Sequence, residues 1–136
     1  MTARKPTTLD DLDRDELLEL IRNGFPRTGY GYSERDLVSA QCDVAHSRLM
    51  AALDQVAAMN RSMIPLAVTV DETTTKILAA RDKSDLPALK RALRLQDKAL
   101  AAYRTKQAEE KKLDARAEKL RRRSDRLFTL WKDLSE

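Results

Sequence analysis

From Ser33 onward, apolar and small residues recur three and four positions apart, the period of one face of an α-helix. The first run reads Leu37 or Val38, Cys42, Ala45, Leu49, Leu53, Val56, Met59 or Asn60 and Met63. It continues past Pro65 as Ala67, Val70, Thr74 and Ile77. A second run reads Leu86, Leu89, Leu93, Gln96, Leu100 and Tyr103, and resumes as Leu113, Ala117, Leu120, Ser124, Leu127, Trp131 and Leu134. Between its halves, residues 104–112 are almost wholly polar. Tyr103 and Leu113 lie one heptad plus three apart, so the seam changes face there.

The breakers set the lengths of the elements. All three glycines fall at Gly24, Gly29 and Gly31, and Tyr32 to Glu136 contains none. Few turns that need positive φ fit into such a stretch, and only Pro65 and Pro87 interrupt it. Long helices follow. Residues 1–12 read as a tail. Asp13 with Glu16 three positions later forms an acidic capping box for a short helix over 13–23, ended by Gly24. Leu12 and Leu17 are spaced as a hydrophobic staple, and Leu17, Leu18, Leu20 and Ile21 make the apolar side. Residues 24–33 are a loop. Ser33 with Asp36 opens a helix predicted over 34–82. Pro65 either kinks it or breaks it near 62–70, where the β-branched residues have some strand character; the unbroken seam favours the kinked helix. A turn at 82–85 and Pro87 in the following first turn lead into a second arm, 86–134.

Two arms of equal length joined by a short turn must run antiparallel. The predicted fold is therefore all-α: a long, coiled-coil-like antiparallel helical hairpin with a short N-terminal helix, in a single domain. Residues in contact should have numbers that sum to about 168, which brings Leu37 level with Trp131. Phe25, Tyr30, Tyr32, Leu37, Phe128 and Trp131 then gather at the open end as a small core.

Composition narrows the chemistry. Charged residues make up 35% and hydrophobic ones 42%, a helical rather than a disordered balance. One cysteine excludes a disulfide framework, and no apolar run approaches the length of a membrane span. The first residues lead into an acidic stretch, which is not the pattern of a secretory signal. His46 and Cys42 share a helix face, but no third ligand accompanies them, and core packing explains them better. The acidic residues of 10–19 suit helix capping and lack the mid-loop glycine of a calcium loop. No nucleophile has a base beside it, and no glycine-rich loop follows a strand. The chain is expected to be no enzyme, with no cofactor, no metal and no small-molecule substrate.

Charge points to partners. Residues 1–85 carry 11 Lys+Arg against 14 Asp+Glu, whereas 86–136 carry 15 against 8. The densest basic cluster is Arg116, Lys119, Arg121, Arg122, Arg123 and Arg126, a candidate contact for a polyanion or a protein. Internal pairing with Glu118 competes with that use. No aromatic is interleaved with the cluster to stack on bases. Leu66, Val68, Leu78 and Leu95 lie off the seam and are candidate protein contacts. A hairpin that buries little apolar area per residue completes its core with a partner or with itself. The expected function is non-enzymatic protein–protein interaction or assembly, as an adaptor, a structural component or an inhibitor of a partner protein. Non-specific nucleic-acid binding by the basic helix is the alternative. A cytoplasmic location is expected, or a virion-associated one for a protein of phage origin.

Overall fold

A computed structural model describes residues 4–24 and 31–135. The fold is all-α: 87% of the described residues are helical and none is in a strand. A 3-10 turn at Leu9–Asp11 precedes α1 (Arg14–Arg22), α2 (Glu34–Asp82) and α3 (Leu86–Leu134). The two long helices pack heavily against each other as a helical hairpin.

Local chemistry sets the boundaries. The Asp13 side chain accepts from the backbone N–H of Glu16 at 3.0 Å, and the Asp13 N–H donates back to Glu16 at 2.9 Å. Ser33 and Asp36 form the same reciprocal pair ahead of α2. At the far end of α2, Asp85 N–H donates to Ala80 O and Ser84 N–H to Arg81 O. These are the two bonds of a Schellman cap, and Ser84 stands at the left-handed position with φ 52°. Asp85 then caps α3 through the Ala88 N–H.

Pro65 lies inside α2, which is one helix from end to end, so the strand alternative at 62–70 does not occur. Pro65 is exposed, and water can reach the Arg61 carbonyl that the proline leaves without its helical donor. The nearby threonines are accommodated in the helix by bonding back one turn: Thr69 to Pro65 O, Thr73 to Thr69 O and Thr74 to Val70 O.

The chain forms two compact units, Met1–Ala52 with Arg116–Glu136, and Leu53–Ala115. In the first, Leu12, Leu20, Leu37 and Ala40 make the core, with Tyr32 packed on it. Of the residues expected in an open-end core, Leu37 and Tyr32 lie in this cluster, whereas Phe128 does not. Phe128 is 54% exposed and stacks on the half-buried Trp131 at 6.0 Å, while Arg35 caps the Trp131 ring. Phe25 and Tyr30 lie outside the described residues. The reading of 1–12 as a tail is also corrected. Leu12 is buried, and the Thr7 N–H and Arg4 both bind Glu34. On α1 the apolar side is narrower than expected: Leu20 is buried, but Leu17, Leu18 and Ile21 are exposed.

In the second unit, the line of closest packing runs through small residues. Thr73 and Ala80 on α2 and Ala92 and Ala99 on α3 are buried, each pair seven residues apart. The predicted leucine seam is displaced accordingly: Leu53, Leu86 and Leu93 are exposed, and Leu89 and Leu100 half-buried. Alanine at the centre lets two helix backbones approach closely, and the bulkier leucines are turned to the flanks. The register itself agrees with the expected pairing, since Gln96 donates to Thr74 at 2.8 Å and Arg35 lies over Trp131.

Candidate interaction surfaces

The basic cluster of α3 divides by partner. Arg121 and Arg122 both bind Glu118, the first through two bonds at 3.0 and 2.7 Å. The Arg121 hydrogen bonds hold the Glu118 carboxyl below the usual carboxylate range. Arg123 reaches across to α1, where it donates to Glu16 at 3.2 Å. Glu16 is 2% exposed, so this guanidinium is the counter-charge of a buried carboxylate. Arg116, Lys119 and Arg126 make no ion pair with any described residue. At 100° per residue they fall within about 80° of arc on one flank of α3.

The Glu16–Arg123 link joins residues 107 positions apart and was not anticipated. Its signal was present: Glu16 is one turn from Leu20, so the face that buries Leu20 takes Glu16 with it. A charge there requires a cation from elsewhere in the fold. Arg48 plays a similar part at the start of α1, binding Asp13 at 2.8 Å and Asp15 at 3.3 Å. The Glu16 N–H first, and Arg48 second, hold the Asp13 carboxyl below its ordinary value.

Cys42 and His46 differ in their surroundings. Burial, and then the charge of Asp43, push the Cys42 thiol up to about 11, while His46 is exposed. No group of three potential metal ligands occurs among the described residues.

The four leucines and valines singled out as protein contacts do not share one surface. Leu66 is half-buried on the packing side of α2. Val68 is 47% exposed and, at 100° per residue, falls roughly opposite the buried Thr73 and Ala80 on α2. Leu95 and Leu78, at 51% and 45%, fall on opposite faces of the unit Leu53–Ala115.

Those two faces differ in chemistry. One holds a groove of about 370 Å³ between the helices, with Ala79, Ala80, Ala88 and Ala92 in its floor, Leu95 at its edge and Lys76, Lys83 and Arg91 around it. The other face holds a shallower groove of about 290 Å³, lined by Asn60, Met63, Ile64, Ala67, Tyr103 and Glu110. On this side of α3, at 100° per residue, Tyr103 is followed by Leu100, Leu93 and Leu86 over an arc of about 100°. Ile64 and Leu78 make the corresponding ridge on α2. Ile64, Leu78, Leu86 and Leu93 are between 42% and 64% exposed, and Gln96 with Thr74 forms the one polar link between the ridges. These four large apolar side chains lie on one side of the unit, each about half in water.

No described helix is long and apolar enough to cross a membrane. No protein-family model, no curated protein and no solved structure matches this chain.

Proposed function

We propose that this protein is a non-enzymatic interaction or assembly module that works through the leucine face of residues 53–115. The observation that carries this reading is the exposure of Ile64, Leu78, Leu86 and Leu93 along one side of two packed helices. Burying such side chains is worth roughly 1.5–3 kcal/mol each when complete, and the intramolecular packing leaves about half of that unrealised. No buried nucleophile, carboxylate pair or histidine-centred network accompanies the grooves of this unit, which suits binding better than catalysis. A photo-crosslinking residue substituted at Leu93 is expected to form a protein adduct in cells. The same residue at Leu95, on the opposite face, is expected to form much less. Equal adducts at both positions would remove the reading.

A second reading, binding of a nucleic acid through α3, is supported by the shared flank of Arg116, Lys119 and Arg126. It is the weaker of the two, because Arg121, Arg122 and Arg123 are engaged by Glu118 and Glu16.

A further inference from the structure

We propose that the occupant of the leucine face is a second copy of this chain, seated face to face with the two hairpin turns at the same end. The proposal rests on the reading of that face as an interaction surface and names its partner. Three observations carry it. The first is size. From Leu53 to Asp82 the face is about 45 Å long at 1.5 Å per residue, and two helices are about 18 Å across. The resulting area of ~800 Å² is what each partner contributes to an interface of standard size. A second copy presents a face of the same length and width.

The second observation is the uneven distribution of apolar residues along α3. Its leucine ridge occupies 86–103 and ends where the polar residues 104–112 begin. Two arrangements are symmetric. A two-fold axis across the helices would stack α3 on α3 head to tail, and lay Leu86 and Leu93 over the polar half of the partner. An axis along the helices instead lays α2 over the partner's α3 with the turns together. Leu78 is then level with Leu93 across the interface and Ile64 with Tyr103, so that apolar ridge meets apolar ridge in an isologous four-helix packing.

The third observation is charge. Residues 53–82 carry 3 Lys+Arg against 4 Asp+Glu, and residues 86–115 carry 8 against 4. Stacking α3 on α3 brings two basic helices together, whereas α2 on α3 sets the acidic balance of α2 against the basic one of α3, with the exposed Asp82 within about one turn of the level of the exposed Lys90. Of the two symmetric orientations, this one avoids stacking the two basic helices on each other.

Sedimentation equilibrium of the full chain is expected to give a dimer of twice the 15.5 kDa chain mass. Ile64→Glu combined with Leu93→Glu is expected to raise the dimer dissociation constant at least about 100-fold, because each change acts twice in a two-fold interface. Leu95→Glu, on the other face, is expected to leave it within about threefold. Orientation is read by disulfide trapping in a Cys42→Ser background. A chain carrying Leu78→Cys mixed with one carrying Leu93→Cys is expected to crosslink, and Leu93→Cys alone is not. This second measurement needs no destabilising charge and stands if the double glutamate variant fails to fold. A monomeric wild type overturns the proposal, as does a dimer that survives the double substitution in a folded helical chain. Self-crosslinking of Leu93→Cys equal to the mixed pair overturns the orientation. A monomer whose photo-crosslinker at Leu93 still labels a different protein overturns the second copy and leaves the interaction surface intact; absence of any label with a monomer removes both.

Discussion

Both units bury alanines along the same pair of helices, but only the first also buries leucine and valine. In the unit of Met1–Ala52 with Arg116–Glu136, α1 and the segment before it supply Leu12 and Leu20, and the residues they help bury on α2 include Leu37 and Val38. In the unit Leu53–Ala115 there are two helices alone, and what lies deepest is Met63, Thr73, Ala80, Ala92 and Ala99. A third element changes which side chains an amphipathic helix can hide. Two helices touch along one narrow line, which favours small residues, while three helices enclose a space that large ones fill. The leucines of the two-helix unit are the part of its amphipathic pattern that remains uncovered.

Perturbing each unit should therefore give unequal results, and the largest effect is expected in the first. Leu20→Ala removes a side chain that is 3% exposed and should lower the unfolding free energy by roughly 3 kcal/mol in urea titration. Leu95→Ala, in the second unit and 51% exposed, should cost under about 1 kcal/mol. Equal losses would contradict the contrast between the units. Next in size is Arg123→Ala. Removing the partner of a buried carboxylate costs up to about 3–5 kcal/mol. Arg123 is itself 41% exposed and water can replace part of it, so the expected loss is roughly 2 kcal/mol. Arg121→Ala, whose pair with Glu118 lies on the surface, should cost far less than Arg123→Ala.

A smaller effect belongs to the caps and has a pH signature. Asp13→Ala should cost about 1 kcal/mol at neutral pH through loss of the N-cap of α1. The Asp13 carboxyl is held below its ordinary value of 3.8, so its folded pKa lies under its unfolded one. Its contribution is complete above about pH 4 and is lost as the pH falls through the folded value. The wild type and Asp13→Ala should therefore converge in stability in acid; a constant difference down to pH 2 would contradict the assignment. At the opposite turn, Ser84→Gly should raise stability by about 0.5 kcal/mol, since Ser84 holds a φ that favours glycine.

How far the sequence alone reached follows the same contrast. Helix number, the capping boxes at Asp13 and Ser33, the turn at 82–85 and the antiparallel register were legible, because each depends on residues close in sequence or on the equal length of the arms. The face that α2 and α3 turn to each other was not. Period alone gives a stripe about 100° wide, and whether Leu93 or Ala92 lies at its centre depends on how near the second helix comes. The docking of Leu12 and the Glu16–Arg123 pair were missed for a related reason. Both need α1 to be placed in three dimensions, and no short-range pattern carries that. Among the candidate contacts, exposure of Val68, Leu78 and Leu95 is read correctly from their position off the seam, but their distribution over different faces is not.

The smallest expected effect on stability, and the one that separates the two functional readings, concerns the basic flank of α3. Arg116, Lys119 and Arg126 have no described ion-pair partner, so replacing all three with glutamine should shift the unfolding free energy by less than about 0.5 kcal/mol. If this flank binds duplex DNA through its phosphates, each contact contributes about 0.9 to the slope of log affinity against log salt. The triple variant should then lose between two and three from that slope and bind weakly at every sequence alike. If the protein works through its leucine face, wild type and variant should both fail to bind unrelated duplexes at low salt, and the triple variant should keep its oligomeric state. Fluorescence anisotropy with two duplexes at two salt concentrations decides the matter. Arg121→Gln is the control: Glu118 already engages that guanidinium, so its loss should change the slope less than loss of Arg116, Lys119 or Arg126.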